Sequence, residues 1–261
     1  MDMAKKIPIG LELYSVRNEL KADTRGTLAA VAAMGYAGVE FAGMPNNSAE
    51  ELKAILDEVG LVCCGWHTPF ALMQDDQLAE TIAFHQILGN SRLIIPGIPA
   101  ELRQTRDDWL RLADFFNGLA DKLAAQGMVT GYHNHHIEFA PLDGEMPWDT
   151  FFGNTKDAII MQLDNGNALL GGGDPVAIIN NYPGRAKTVH LKPFTVVADA
   201  TDHEAALRPV IGEDSIDWAA FFAVCETVGG TEWYIVEYES DAYPPLEAVK
   251  RCLDALRAMG K

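Results

Sequence analysis

The chain has 261 residues, of which 48% are hydrophobic and 22% are charged, a composition typical of a globular protein and unlike that of a disordered or collagenous one. Its 20 basic and 37 acidic side chains give a formal net charge of −17, which repels phosphate backbones and anionic lipid headgroups. We therefore expect neither nucleic acid nor a membrane among its partners.

Short apolar runs rich in β-branched residues alternate with longer segments of helical period along the chain, a pattern typical of repeated βα units. Eight runs predict strands, beginning near Ile7, Ala37, Leu61, Arg92, Met128, Ala158, Ala186 and Glu232. In the opening MDMAKKIPIGLELYSVR, Glu12 and Arg17 interrupt the chain before a signal-length apolar stretch develops, and no later run approaches transmembrane length. With four cysteines and no CxxC spacing, the sequence predicts a soluble, cytoplasmic protein with reduced thiols.

The segments between the strands carry apolar stripes and helix caps. One stripe has steps of three and four residues and comprises Trp109, Leu112, Phe116, Leu119 and Leu123. Asp174 before Pro175 predicts an N-cap followed by proline at the first helical position, and Ser215 is predicted to cap a later helix. Pro244 and Pro245 mark the predicted start of the last helix.

Eight strands alternating with helices predict an α/β fold, a single closed (β/α)8 barrel, whose typical size is about 250 residues. An open doubly wound sheet is the alternative, although no GxGxxG or Walker A string follows the first strand. No linker or composition shift divides the chain, so residues 1–261 are predicted to form one TIM-barrel domain. The long irregular stretch 193–214 is predicted to be an active-site loop.

Polar side chains collect where the predicted strands end, and in a barrel these ends meet at the rim that carries the chemistry. They are Glu40, His67, His133, Asn134, His135, Glu138, Asp164, His190, Lys192, Glu237 and Glu239. Buried carboxylates and imidazoles are costly unless they are paired, protonated or ligated, and one shared divalent cation would satisfy several of them together. Such a set of oxygen and nitrogen donors suits Mn²⁺, with Co²⁺, Mg²⁺, Fe²⁺ and Zn²⁺ as alternatives.

Simpler structural explanations compete for some of these positions. Glu40 could form only a salt bridge at the barrel rim, which we favour slightly over a functional role, and Trp66 could pack in the core. His85, within a helical segment, is predicted to be a surface or packing residue, and His203 to be solvated. Separate ion pairs at matching strand ends would be needed to explain three other residues, so ligation is favoured for Asp164, His190 and Glu237.

Six segments, in this order, resemble motifs of the sugar phosphate isomerase/epimerase family, a group within the xylose-isomerase-like barrels. They are LELYSVRNEL, GYHNHHIEF, MQLDNGNALLGGGDP, VHLK, IGEDSIDW and YIVEYE, and together they span nearly the whole chain. The chain departs from the family pattern in loops that we expect to contact substrate, at Asn165, Asn167, Pro193 and Asp214.

The resemblance implies one divalent metal ion held by Glu138, Asp164, His190 and Glu237. His133 and His135 remain alternatives to Glu138 because they lie nearer the end of the strand. The resemblance also implies that Glu138 and Glu237 exchange a proton on opposite faces of a substrate carbon next to a metal-polarised carbonyl. The predicted substrate-binding residues are His67, His133, His135, Lys192, Glu40, Trp66 and Arg17.

The favoured function is metal-dependent isomerisation or epimerisation of a small, unphosphorylated keto-sugar or related polyol through an enediolate. A lyase of the same barrel type, which dehydrates a keto-inositol or eliminates across a 3-keto-glycoside, begins with the same proton abstraction and remains open. An endonuclease-IV-like enzyme is disfavoured by the negative charge, and a non-enzymatic sugar-binding barrel by the intact carboxylate set. By analogy with barrels of this group, a homo-oligomer also remains open.

Overall fold

A computed structural model describes residues 6–44 and 46–261, so the first five residues of the N-terminal segment considered above lie outside it. In the described ranges, eight parallel strands form a closed barrel in chain order, with the last strand paired to the first. The strands are β1 (Ile9–Glu12), β2 (Gly38–Ala42), β3 (Val62–His67), β4 (Arg92–Ile95), β5 (Val129–His133), β6 (Ile160–Asp164), β7 (Thr188–Leu191) and β8 (Trp233–Val236). The predicted barrel is confirmed, and each strand begins within two residues of its predicted start.

Helices connect the strands on the outside of the barrel. They are α1 (Arg17–Ala22), α2 (Thr24–Met34), α3 (Ala49–Val59), α4 (Leu78–Leu88), α5 (Arg106–Ala124), α6 (Pro147–Phe152), α7 (Asn165–Leu170), α8 (Pro175–Asn181), α9 (His203–Ala206), α10 (Trp218–Val224) and α11 (Pro245–Ala258). The predicted apolar stripe of α5 is buried against the barrel, and α9 interrupts the stretch predicted as an irregular loop. No helix in the described ranges is both long enough and apolar enough to cross a membrane.

Helix caps agree with the sequence at one predicted position and differ at another. Asp174 caps α8 by accepting hydrogen bonds from the backbone N–H groups of Val176 and Ala177, as predicted. The prediction for Ser215 is wrong, because Asp217 caps α10 and the Ser215 hydroxyl donates to the Phe194 carbonyl instead. Helix α10 therefore begins later than the sequence pattern predicted, because Ser215 forms a hydrogen bond with the preceding loop and does not cap the helix.

The register between β2 and β3 positions one of the predicted site residues. Pairing is regular up to Val39 and then shifts by one residue, so that Glu40 lies opposite Gly65. Both the bulge and the glycine lie in the barrel wall, and the Glu40 side chain is fully buried inside the barrel. The carboxylate of Glu40 is thereby held within the molecule instead of at a solvent-exposed rim.

Candidate metal centre and active site

A cavity of about 750 Å³ opens where the strands end. Its polar lining comprises His67, His133, His135, His136, Asn167, Lys192, His203, Glu237 and Glu239, so five of the seven histidines of the chain face it. His203 is exposed, as predicted, but it also lines the cavity and comes from the stretch predicted to be an active-site loop. Cavities of this size, with a few convergent polar groups, are typical of small-molecule sites.

Four buried side chains at the ends of β5 to β8 bring donor atoms within 4.8 Å of one another: His133, Asp164, His190 and Glu237. His190 Nδ1 lies 2.6 Å from Glu237 Oε2, and His133 Nε2 lies 4.0 Å from Asp164 Oδ2. Because His133 and Glu237 also line the cavity, this group lies directly beneath it. Three of the four predicted metal ligands are therefore brought together.

Asp164 is held so that one of its oxygens makes no hydrogen bond among the described residues. Its Oδ1 caps α7 by accepting from the backbone N–H of Asn167 at 2.7 Å. The side chain of Asn134 accepts from the Asp164 N–H and donates to the Asp164 carbonyl, which extends the pairing of β5 with β6 by one side chain. Asp164 Oδ2 and His133 Nδ1 are buried and have no hydrogen-bond partner among the described residues. Two carboxylates, two imidazoles and these unpartnered atoms fit a divalent cation.

Glu138, the fourth ligand implied by the family resemblance, does not belong to this group, and both of its carboxylate oxygens accept hydrogen bonds from other residues. The Tyr132 hydroxyl donates to its Oε1 at 2.6 Å, and the backbone N–H of His135 donates to its Oε2 at 2.8 Å. Glu138 lies in a short 3₁₀ turn, Ile137–Phe139, beyond the end of β5, whereas His133 is the last residue of that strand. His133, one of the two alternatives considered from the sequence, therefore occupies the place expected for Glu138, while His135 lines the cavity without joining the group.

A second group of donor atoms lies on the other side of His190 and comprises Glu12, Glu40, His67 and His190. Glu40 Oε2 lies 2.6 Å from His190 Nε2. Gln162 donates from Nε2 to both oxygens of Glu40, at 3.0 and 3.1 Å, while its Oε1 lies 2.7 Å from His67 Nε2. Neither Glu12 nor Gln162 was predicted from the sequence to be a site residue. Two signals were present, because Glu12 ends the first strand and Gln162 precedes Asp164 by two residues on the same strand face.

Burial and neighbouring charges raise the pKa of some ionisable groups of the site and lower the pKa of others. Burial raises the pKa of Asp164 to about 6 and, together with the charge of Glu237, that of Glu239 to about 7. For Glu237, burial alone would raise the pKa, but Lys192 and His190 hold it well below the ordinary range. For Lys192, burial alone would lower the pKa, but the surrounding carboxylates raise it above the ordinary value. The cavity floor thus combines an ionised carboxylate with a paired, buried ammonium group.

The predicted substrate-binding residues separate into two sets. His67, His133, His135 and Lys192 line the cavity. Three others do not: the Glu40 side chain is buried inside the barrel, Trp66 stacks on Phe41 with ring centroids 4.5 Å apart, and Arg17 lines a separate cavity of about 310 Å³. Trp66 is thus a core residue, in agreement with the simpler explanation considered for it.

Comparisons with known proteins agree with this architecture. The family model described as xylose isomerase-like TIM barrel matches residues 28–259, and the chain belongs to that family. A sugar phosphate isomerase/epimerase from Parabacteroides distasonis is similar in structure, with a TM-score of 0.79, 23% identity and coverage of 99% of this chain and 96% of that one.

The chain is also similar to several inosose dehydratases, and two of them serve as examples. One, from Lacticaseibacillus casei, is 29% identical over 148 residues, which are 52% of this chain and 49% of the relative, so this chain matches about half the length of that protein. The other, from Geobacillus thermodenitrificans strain NG80-2, is 25% identical over 241 residues, 81% of this chain and 80% of the relative. These relatives indicate an enzyme of the xylose isomerase-like family and leave the particular reaction open.

Proposed function

We propose that this protein is a divalent-metal-dependent enzyme that removes a proton from the carbon next to a carbonyl group in a sugar or related polyol. The observation that carries this proposal is the buried group of His133, Asp164, His190 and Glu237 beneath a cavity of about 750 Å³. Two of its polar atoms, Asp164 Oδ2 and His133 Nδ1, have no hydrogen-bond partner within the described residues, although Lys192 Nζ lies 3.4 Å from Asp164 Oδ2.

His133, Asp164, His190 and Glu237 would hold the ion, which we expect to be Mn²⁺, with Co²⁺, Mg²⁺, Fe²⁺ or Zn²⁺ as alternatives. When bound, a divalent cation at this place polarises a carbonyl oxygen and stabilises the negative charge that develops when the neighbouring carbon is deprotonated.

The side chains of the cavity supply the proton transfers and the orientation. Glu237 lines the cavity, and Lys192 and His190 keep its carboxylate ionised and so able to accept a proton. We assign it the removal of the substrate proton because of this position. Lys192 Nζ lies 2.6 Å from Glu239 Oε1 and 3.4 Å from Glu237 Oε1. The Lys192–Glu239 pair can return a proton to the substrate. The imidazoles of His67 and His135 line the wall, where they can orient substrate hydroxyls.

This assignment changes the proton exchange expected from the sequence. The exchange between Glu138 and Glu237 requires both carboxylates to face the substrate, but the Glu138 carboxylate is engaged by Tyr132 and by the backbone of His135. We therefore assign the second proton transfer to the Lys192–Glu239 pair. Return of the proton to a substrate carbon gives isomerisation or epimerisation, which we propose as the function.

Dehydration is the second candidate, and it uses the same first step. It is favoured by the similarity to an inosose dehydratase over 81% of this chain. The Lys192–Glu239 pair could protonate a departing hydroxyl group on the carbon beyond the one that loses its proton. The two functions therefore differ only in whether the substrate carries a leaving group beside the deprotonated carbon.

Solvent-deuterium exchange tests the shared step. Metal-loaded protein is incubated in D₂O with a panel of keto-sugars and keto-inositols, and the C–H signal next to the carbonyl is followed by proton NMR. We expect exchange in the parent and its loss in Glu237→Gln, while Glu232→Gln, which alters an exposed glutamate, behaves as the parent. Ultraviolet absorbance of an enone would identify dehydration, and exchange that persists in Glu237→Gln would contradict the role given to this residue.

A further inference from the structure

We propose that Glu40 is a positioning residue of the metal centre, whose carboxylate accepts the Nε2–H of His190 and so makes Nδ1 the nitrogen that binds the metal ion. The inference rests on the proposed function, since it concerns the ligands of the same site. It gives a role to a residue that neither lines the cavity nor belongs to the group around Asp164.

His190 lies between two carboxylates, one on each side of its ring. Nδ1 is 2.6 Å from Glu237 Oε2, on the side of the group beneath the cavity, and Nε2 is 2.6 Å from Glu40 Oε2, on the side of the barrel interior. A carboxylate offers acceptor atoms, so the nitrogen facing Glu40 donates its hydrogen. Nδ1 faces the Glu237 carboxylate at the same distance, but there a cation held by Glu237 and Asp164 would take the place of the ring hydrogen. Nε2 keeps its hydrogen toward Glu40 and so has no lone pair for a metal, which makes Nδ1 the ligand.

Glu40 is itself held in place by its neighbours. The Gln162 amide nitrogen donates to both Glu40 oxygens and lies 3.0 Å from Thr188 Oγ1. Because that nitrogen must face the carboxylate, the amide oxygen faces His67, which then donates from Nε2 over 2.7 Å. The His67 ring also stacks on His190, with centroids 5.1 Å apart and planes inclined by 6°. These contacts fix both the direction of the Glu40 carboxylate and the plane of the His190 ring.

Gly65 provides the space for this carboxylate. It pairs with Glu40 across the β2–β3 register, and a Cβ atom added to Gly65 would lie 2.1 Å from Glu40 Oε1. Since Glu40 is fully buried, its carboxylate cannot move into solvent to relieve such a contact. Gly65→Ala should therefore displace the carboxylate from His190 without altering any charge.

A different arrangement would use the same atoms in another way. Glu12, Glu40 and His67 could hold a second metal ion together with His190 Nε2, since Glu12 Oε2 is buried without a hydrogen bond among the described residues. The two arrangements exclude each other, because Nε2 of His190 either donates a hydrogen to Glu40 or binds an ion. The tautomer of His190 and the number of bound ions therefore distinguish them.

The tautomer can be read in the unaltered protein. With histidine labelled by ¹⁵N and the site loaded with Zn²⁺, a long-range ¹H–¹⁵N spectrum shows which ring nitrogen binds metal, and His190→Asn assigns the signal. We expect a metal-bound Nδ1 and a slowly exchanging Nε2–H. This measurement requires no substitution at Glu40, so it tests the proposal even if a Glu40 variant fails to fold.

Metal affinity then tests the role of Glu40. In competition with a chelator, Glu40→Gln should weaken Zn²⁺ binding about 10- to 100-fold, the usual loss when the partner of a ligating histidine is removed. Gly65→Ala should weaken it in the same direction. Glu12→Gln is the matched control, because Glu12 is equally buried and has no hydrogen bond to His190, and it should retain the parent affinity.

Coordination through Nε2 in the parent would overturn the proposal, as would two bound ions of which Glu40→Gln removes one. Equal affinities of Glu40→Gln and the parent would overturn it while leaving the proposed function intact. Failure of the parent itself to bind any metal would overturn both.

Discussion

Lys192 is the residue that most directly balances the negative charge of the site. Its Nζ lies 3.4 Å from Asp164 Oδ2, 3.4 Å from Glu237 Oε1 and 2.6 Å from Glu239 Oε1. The side chain is almost fully buried, and removing one partner of a buried ion pair leaves charges without compensation. Lys192 and a bound cation would therefore act on the same carboxylates.

The compensation of three carboxylates by Lys192 predicts how its removal changes stability. In the presence of a chelator, Lys192→Met should lower the free energy of unfolding by about 3–5 kcal/mol, measured by urea denaturation followed by circular dichroism. Added Mn²⁺ should restore more stability to this variant than to the parent, because it supplies the missing positive charge. Lys187→Met is the control, since Lys187 pairs with Glu232 at the surface and should change stability by less than about 1 kcal/mol. Equal losses in the two variants would contradict this account of Lys192.

His85 gives a second residue-scale prediction, on the pH dependence of stability. It packs edge-on against Trp66 with ring centroids 5.1 Å apart, and burial lowers its pKa from 6.5 to about 4. Because the unfolded chain takes up this proton at higher pH than the folded protein does, the contribution of neutral His85 is complete above pH 6.5 and is lost as pH falls toward 4. The loss amounts to about 3 kcal/mol.

His85→Gln should remove that part of the acid sensitivity. The free energy of unfolding is measured for the parent and the variant by urea denaturation at several pH values from above 6.5 to below 4. It should fall less steeply with decreasing pH in the variant than in the parent. Identical pH slopes would show that His85 is protonated without cost in the folded protein.

The sequence could predict that Asp164, His190 and Glu237 lie close together, because apolar strands that end in ionisable residues meet at one rim of a barrel. It could not decide between Glu138 and His133, since a 3₁₀ turn after β5 determines which side chain turns toward the cavity. Glu40 was predicted to be a rim residue because it lies near the end of a predicted strand. The shift in the β2–β3 register and the space beside Gly65, which a sequence pattern does not reveal, place its side chain inside the barrel.

At the scale of elements, α5 illustrates how local sequence fixes a boundary. Thr105 Oγ1 accepts from the Asp108 N–H at 3.2 Å, and Asp108 Oδ2 accepts from the Thr105 N–H at 2.8 Å, which forms a reciprocal capping box. Asp108 also places negative charge at the positive end of the helix.

Thr105→Ala should therefore lower the free energy of unfolding by about 1 kcal/mol in thermal or urea denaturation. Thr105→Ser keeps the hydroxyl acceptor and should stay close to the parent. A loss of the same size in both variants would indicate that the methyl group, and not the cap, is responsible.

Periodicity was enough to predict all eight strands, because each is a short apolar run between turns. The boundaries of short helices were less predictable: α7 begins directly after β6 with Asp164 as its cap, and α10 is capped by Asp217 instead of Ser215. Both depend on where the preceding loop turns back onto the barrel, which a local pattern does not contain.

At the scale of the whole molecule, closure of the barrel is what creates the site. The donors come from strand ends that are far apart in the chain, such as Glu40 on β2 and His190 on β7, and only the pairing of β8 with β1 closes the ring that brings them together. The protein has a net charge of −17, yet it gathers three imidazoles and one ammonium group around five buried or half-buried carboxylates. This arrangement suits the binding of a cation and the transfer of protons.

Metal content per chain tests the central claim most directly. Protein purified without chelator, or reconstituted with Mn²⁺, Co²⁺, Fe²⁺ or Zn²⁺, is analysed for metals beside an Asp164→Ala/Glu237→Ala double variant and a control in which the exposed Asp57 and Glu232 are replaced by alanine. We predict about one bound ion per chain in the parent and the control, and almost none in the site variant. A parent that binds no metal after reconstitution, or a site variant that binds as much as the parent, would contradict the account.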